Sequence, residues 1–126
     1  MTEIEMKKIT KAADFFENKG YTTDIEDPII SYSGDGIDFI IIFEPNSDVS
    51  DISIKFSKEN EVYSIGWIAC VRSGLSVKPH QRLENVLTLL SYIKDNYSMI
   101  IDIDYCRESN KLIDEFIANE RKRCDI

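Results

Sequence analysis

The clearest pattern in the chain is a strict alternation of apolar and polar residues over 51–57. Ile52, Ile54 and Phe56 occupy one phase of this alternation, and polar residues occupy the other. Since successive side chains of a strand point to opposite faces of a sheet, the pattern predicts a strand with one buried and one solvated face. Other short runs rich in β-branched residues predict further strands. The predicted strands are 29–32, 37–44, 51–57, 62–71 and 99–103.

The strand predicted over 62–71 differs from the others because both of its faces carry apolar residues. Such a strand is expected near the centre of a sheet, where it is covered on both sides. This interpretation places Trp67 in the core and makes Cys70 a small buried hydrophobe. A right-handed crossover through the next helix would then place the strand at 99–103 parallel to it.

Glycine and polar residues mark the turns between these strands. Ser33-Gly34-Asp35-Gly36 is typical of a tight turn, because glycine adopts positive φ at no steric cost. The strands on either side of it are therefore predicted to form a hairpin. Further turns are predicted at 45–48 and 58–60.

Apolar residues at helical spacing predict three helices, over 2–19, 79–97 and 108–121. Thr2 and Glu5 have the spacing of a capping box, and Gly20 suits a left-handed end to the first helix. The resulting order is α-β-β-β-β-α-β-α. This order indicates a single α+β domain over residues 1–126, with a mostly antiparallel five-stranded sheet and helices packed on it.

Charge changes this picture because it is distributed unevenly. The 126 residues include 15 Lys and Arg and 23 Asp and Glu, a net charge of −8. Residues 20–54 contain eight acids and no base, so this block accounts for the whole net charge. A focused negative field speeds association with a cationic partner by about 10–10³-fold, so the block is a candidate binding surface. The alternative is that the acids only form turns, because Asp is favoured there. The acids are Asp24, Glu26, Asp27, Asp35, Asp38, Glu44, Asp48 and Asp51.

Asp102 and Asp104 are the first candidates for metal chemistry, because they follow the strand predicted over 99–103. An Asp-x-Asp pair after a strand is typical of the magnesium sites of phosphotransferases and glycosyltransferases, since Mg²⁺ prefers oxygen ligands. Any two residues at this spacing share a face of a strand, however, so solvated acids at a strand end give the same pattern. The second interpretation is favoured because no phosphate-binding glycine loop precedes the pair.

Two further catalytic arrangements are considered and set aside. Asp38, Glu44 and Lys55 suggest a nuclease core, but Ser53 stands where the expected acid-x-Lys pair needs its acid. His80 is the one histidine, and no Ser or Cys in a nucleophile setting accompanies it. A surface histidine is the better interpretation. We therefore expect a protein that is not an enzyme and that needs no metal or cofactor.

The cysteines and the apolar runs bear on the compartment. Residues 1–8 lack the apolar run of a signal peptide, and no stretch approaches the roughly 20 apolar residues that span a bilayer. Cys70, Cys106 and Cys124 cannot all pair within the chain, and none belongs to a CxxC motif. Free thiols in the cytoplasm are the expectation.

The segment Val62-Tyr63-Ser64-Ile65-Gly66-Trp67-Ile68-Ala69, together with the later helix around Leu83-Glu84-Asn85-Val86-Leu87, resembles the small immunity proteins of bacterial toxin systems. These include the systems of contact-dependent growth inhibition and related polymorphic toxins. The acidic block from Asp24 to Asp51 adds to the resemblance. It implies a cytoplasmic protein that binds a cognate toxin, often a basic nuclease, and blocks its active or substrate site.

The resulting expectation is a cytosolic protein-binding inhibitor that neutralises a basic toxin domain through the eight acids of residues 20–54. The strong acidity argues against binding of nucleic acid through a basic surface. Two other functions remain open at this point. One is a nucleic-acid mimic that occupies a DNA-binding protein, and the other is a small metal-dependent enzyme that uses Asp102 and Asp104.

Overall fold

The computed structural model describes residues 1–44 and 50–124 and confirms an α+β fold built on a five-stranded antiparallel sheet. The strands are Thr22–Glu26 (β1), Ile29–Gly34 (β2), Ile37–Ile42 (β3), Asp51–Phe56 (β4) and Glu61–Ser64 (β5). The helices are Glu3–Ala12 (α1), Asp14–Asn18 (α2), Ile65–Ser73 (α3), Arg82–Asp95 (α4), Tyr97–Ile100 (α5) and Ile103–Cys124 (α6). The turn predicted at 45–48 lies outside the described residues.

The sheet is a meander in which each strand pairs with its neighbour in the chain, in the order β1-β2-β3-β4-β5. The alternation that predicted β4 is confirmed, because Ile52, Ile54 and Phe56 are buried. The register brings Phe39 and Ile41 of β3 opposite Ile54 and Ile52. The apolar phases of neighbouring strands therefore combine into one buried face.

The strand β1 was not predicted, and its composition explains why. Among Thr22–Glu26 only Ile25 is apolar, and every residue except Thr23 is exposed. An edge strand that is wet on both faces has no hydrophobic alternation to reveal it. Pairing with β2, rather than its own pattern, makes this segment a strand.

The strand predicted over 62–71 is wrong beyond Ser64. The structure has the short edge strand β5, followed at once by α3. Ser64 begins this helix by accepting a hydrogen bond from the Trp67 backbone N–H at 3.1 Å, and Gly74 ends it in the left-handed conformation. The apolar residues on both strand faces are in fact a helical stripe, because Ile65, Ile68 and Ala69 are the buried positions.

The strand predicted over 99–103 is also wrong, and with it the parallel crossover. Those residues form the end of α5, a turn and the first residue of α6. Ile100 belongs to the single helical turn of α5 and is fully buried. The helix predicted over 108–121 is the central part of α6, which begins five residues earlier and ends at Cys124. The described part of the chain thus contains six helices, not three, and the predicted order α-β-β-β-β-α-β-α is wrong because all five strands precede α3.

The first predicted helix, over 2–19, is interrupted at Ala13 and becomes α1 and α2. Its capping box is confirmed: the Thr2 N–H donates to Glu5 Oε1 at 2.8 Å, and the Glu5 N–H donates to Thr2 Oγ1 at 3.1 Å. Gly20 has the positive φ expected after the helix, at 91°. The second predicted helix, over 79–97, begins later than expected, at Arg82.

The core lies between the buried face of the sheet and the helices, and aromatic rings form its centre. Phe16 of α2 is fully buried, and its ring centroid lies 4.8 Å from that of Tyr32 and 4.7 Å from that of Phe39. Helix α4 adds a buried apolar stripe that includes Leu90 and Ile93. Because the helices cover this inner side, the opposite side of the sheet is left for contact with solvent or a partner.

Candidate protein-binding surface

The outer face of the sheet is the side opposite the aromatic core. The pairing registers assign to it every second residue of each strand, because directly paired residues share a face. Every one of these residues is at least partly exposed. The outer face consists of Thr22, Asp24, Glu26, Ile29, Ser31, Ser33, Asp38, Ile40, Ile42, Asp51, Ser53, Lys55, Val62 and Ser64.

Four of the eight predicted acids meet on this outer face. They are Asp24 and Glu26 of β1, Asp38 of β3 and Asp51 of β4. Among the strand residues of this face the one base is Lys55, which lies opposite Asp38 in the register. The face therefore carries a net negative charge while the helices of the described chain carry both signs.

Isoleucines lie between these acids, and sequence reasoning did not single them out. Ile29 is 37% exposed and Ile42 is 43% exposed. Glu26, Ile29, Ile42 and Asp51 are successive cross-strand neighbours, so two apolar side chains separate two carboxylates in one row. At about 4.8 Å between strands, this row is roughly 14 Å long. An apolar centre with a charged rim is the usual anatomy of a protein interface.

The other predicted acids lie elsewhere. Asp27 follows β1 and receives the N-terminal ammonium at 3.3 Å, and Asp35 lies in the turn between β2 and β3. Glu44 follows β3, where its backbone carbonyl accepts a hydrogen bond from Arg82. Asp48 lies outside the described residues. The sequence block is therefore divided in space between the outer face, two turns and the end of β3.

Asp51 differs from the other acids on the outer face because its carboxylate is used inside the protein. Oδ1 accepts hydrogen bonds from the backbone N–H groups of Ile52 and Gly66, each at 2.8 Å. Oδ2 accepts a hydrogen bond from the Ser64 hydroxyl at 2.5 Å. The side chain thus joins β4 to the junction between β5 and α3. These contacts give it a structural role whether or not it also faces a partner.

The structure places both groups of residues that were considered for metal chemistry, of which only Asp102 with Asp104 remained an alternative. Asp102 accepts a hydrogen bond from the Asp104 backbone N–H at 3.0 Å, so the pair marks the start of α6 and not the end of a strand. Asp38 and Lys55 are cross-strand neighbours, while Glu44 lies beyond the end of β3. Among residues 1–44 and 50–124, no three His, Cys, Asp or Glu side chains are grouped so that they could hold a metal ion.

Three other residues were singled out from the sequence, and the structure corrects the surroundings expected for two of them. Trp67 was predicted to be core, but it is 42% exposed on α3 and packs edge-on against Phe116 of α6, with ring centroids 6.1 Å apart. Cys70 was predicted to be buried in a strand, but it is half-buried on the same helix and lines an apolar cleft of about 250 Å³. His80 is exposed, as predicted, in the loop before α4 rather than at a helix start.

The clearest electrostatic pair in the described chain lies away from the outer face and joins β5 to α6. Arg107 donates to both carboxylate oxygens of Glu61, at 3.1 Å and 2.5 Å, and the Tyr63 hydroxyl donates to the same carboxylate at 2.5 Å. The hydrogen bond from Arg107 makes the largest contribution, and together these bonds lower the pKa of Glu61 to about 2. Burial raises the pKa of Tyr63 to about 12.

Replacing Glu61 with Gln is expected to remove a pH-dependent part of the stability. Because the folded-state pKa is lowered, the contribution of Glu61 is fully present above its ordinary pKa of about 4.5 and is lost as the pH falls toward 2. Urea unfolding should therefore show that the Glu61→Gln variant is less stable than the unaltered protein at pH 7, and that this difference shrinks below pH about 4.5. The matched control is Glu59→Gln, in the adjacent turn. If the stability difference between the unaltered protein and the Glu61→Gln variant stayed constant down to pH about 2, the pair with Arg107 would not be what lowers the pKa of Glu61.

No protein-family model, no curated protein and no solved structure matches the chain. None of the helices in the described part of the chain is long and apolar enough to cross a membrane. The outer face is therefore the feature of the molecule that bears most on function.

Proposed function

We propose that this chain is a cytoplasmic protein-binding inhibitor, an immunity protein that neutralises a basic toxin domain, with the outer face as its contact surface. The observation that carries the proposal is the row formed by Glu26, Ile29, Ile42 and Asp51, in which exposed isoleucines lie between carboxylates on an open sheet face. In the proposed complex the partner is a nuclease or another toxin whose substrate site is rich in Lys and Arg.

The charge and the apolar area of this face have different roles in binding. Exposed carboxylates such as Asp24 and Glu26 would attract the basic partner and orient its approach, which mainly raises the association rate. Ile29 and Ile42 would lose water on contact and so slow dissociation, because buried apolar area at the centre of an interface contributes most to its lifetime. A face that had acids alone would lack this second component.

The exposed isoleucines also favour a protein partner over nucleic-acid mimicry. A mimic of DNA needs carboxylates arrayed over a broad surface like phosphates. On the outer face, Glu26 and Asp51 are instead separated by two isoleucines in the same row. An apolar stripe at that place fits the surface of a folded domain better than the groove that binds a phosphate backbone.

Charge reversal on the outer face is expected to slow binding to the toxin domain. Asp24 and Glu26 are replaced together with Lys, which turns attraction into repulsion at exposed positions and should lower the association rate at low salt by about tenfold. The matched control replaces Asp114 and Glu115, which are exposed on α6, with Lys. Both proteins change by the same net charge, so only the position of the charge differs.

The partner for this test is sought first in the reading frame that ends just upstream of this chain. Its C-terminal domain is co-expressed with each variant, rescue of growth is scored, and rates are measured at several salt concentrations. Rescue and fast association by the control, together with their loss in the outer-face variant, would support the proposal. If both variants bound and rescued like the unaltered protein at low salt, the outer face would not be the contact surface.

A further inference from the structure

The strand β1 forms one edge of the sheet, and it carries two exposed acids and an exposed isoleucine. The sheet order ends at β1, so alternate backbone N–H and C=O groups of Thr22–Glu26 point away from β2. Asp24 and Glu26 are exposed on the outer face. Ile25 points to the inner side but is 42% exposed, although its cross-strand partner Ile30 is fully buried.

An added strand would pair with the outward backbone groups of β1, face its two acids and cover Ile25. Its backbone would pair with the outward N–H and C=O groups of β1, as in other cases of strand addition to a sheet edge. Its side chains would face those of β1 directly, at Cβ separations of about 4.5–5.5 Å. A residue opposite Ile25 would lie on the inner side and cover that isoleucine, whereas residues opposite Asp24 and Glu26 would lie on the outer face.

We infer that β1 is the edge at which the basic partner adds an extended segment, with Lys or Arg opposite Asp24 and Glu26 and an apolar residue opposite Ile25. This inference deepens the proposed function and rests on it for the nature of the partner. Opposite charges paired across strands are favourable, and like charges in the same places are unfavourable. The edge is therefore expected to bind a segment in which an apolar residue lies between two basic residues.

Synthetic peptides test this directly. The first probe is the acetylated, amidated peptide Thr-Val-Lys-Val-Lys-Val-Thr, and the second is its permutation Thr-Val-Lys-Lys-Val-Val-Thr, which has the same composition and charge. Binding at millimolar peptide is followed through the amide resonances and amide hydrogen exchange of the isotope-labelled protein. The alternating peptide is expected to bind about tenfold more tightly than the permuted one and to protect outward amides of β1.

Two methylated forms of the first peptide separate strand addition from simple charge attraction. One carries N-methyl groups on both Lys residues and the other on the Val residues. Because alternate N–H groups of a strand point in opposite directions, only one of the two should lose binding. The protein variant Asp24→Lys with Glu26→Lys should bind the unmethylated alternating peptide about tenfold more weakly. The control variant Asp114→Lys with Glu115→Lys should bind it unchanged.

The contrary results are equally specific. Equal binding of the alternating and permuted peptides, still dependent on Asp24 and Glu26, would overturn strand addition but leave the outer face as an attractor of basic partners. No binding by the alternating peptide at millimolar concentration would overturn it too, and dimerisation of the variant Asp24→Ser with Glu26→Ser would then show that these acids only prevent self-pairing of the edge. Failure of the proposed function itself would appear separately, as unaltered rescue by the outer-face variant.

Discussion

Replacing Phe16 with Ala is expected to lower the free energy of unfolding by about 3–5 kcal/mol, the usual loss when a buried Phe is truncated in a core. Phe16 is fully buried, and its ring lies close to four others: Phe15, Tyr21, Tyr32 and Phe39. Aromatic pairs in such arrangements contribute about 0.5–1.5 kcal/mol each beyond their buried area. Truncation removes these contacts together and leaves a cavity at the meeting point of α2 with β2 and β3.

Urea unfolding followed by circular dichroism measures this loss. A domain of this size is stable by about 5–15 kcal/mol, so the variant retains little margin. Phe16→Leu refills most of the volume and should lose about 1–2 kcal/mol, which keeps the test readable if the Ala variant does not fold. The control is Phe116→Ala, since Phe116 is 40% exposed on α6. Equal losses at Phe16 and Phe116 would mean that the aromatic cluster is not the centre of the core.

The parts of the fold that could be predicted from sequence are those whose own residues decide the structure. The alternation around Ile52 and Ile54 predicts β4, and Thr2 with Glu5 predicts the start of α1, because each signal is local. The strand β1 could not be predicted in this way. Its one apolar residue, Ile25, gives no pattern, and the segment becomes a strand through its pairing with β2.

The errors at 62–71 and 99–103 have a common physical cause. Short apolar segments fit both periods, since Ile65, Ile68 and Ala69 suit a helical stripe as well as a buried strand. Ser64 is the signal that resolves the first case, because its hydroxyl accepts the Trp67 backbone N–H and begins α3. In the second case Asp102 begins α6 in the same way, but α5, which contains Met99 and Ile100, has no side-chain cap. A cap therefore distinguishes the two structures at 62–71 but not at 99–100.

The candidate surface was predicted in part. Charge counting identifies the acidic block, but it cannot show which acids share a face, because that depends on how each strand pairs. Asp24 and Glu26 lie together with Asp38 because of the β1–β2 and β2–β3 registers. Ile42 on the polar phase of β3 was the available signal for an exposed apolar centre. Its meaning depends on Ile29, which only the pairing places beside it.

Asp51 provides the second large effect, because one carboxylate holds a junction between three elements. Replacing Asp51 with Ala is expected to lower the free energy of unfolding by about 2–3 kcal/mol, since hydrogen bonds to charged acceptors are stronger than average and their donors lose a partner. The donors are the backbone N–H groups of Ile52 and Gly66 and the hydroxyl of Ser64. Asp24→Ala, on the same face but exposed, should cost less than about 0.5 kcal/mol.

Gly66 provides a test of whether the Asp51 carboxylate stabilises the protein through its contact with α3. A Cβ at residue 66 would lie 2.8 Å from Asp51 Oδ1, so Gly66→Ala should displace the carboxylate and cost about 1–3 kcal/mol by itself. Once Asp51 is Ala, that clash is gone, and Ala is the better helix former within α3. The double variant should therefore be at least as stable as Asp51→Ala alone. Urea unfolding of all four proteins measures the coupling. If the two losses simply added, the carboxylate would not be what excludes a side chain at residue 66.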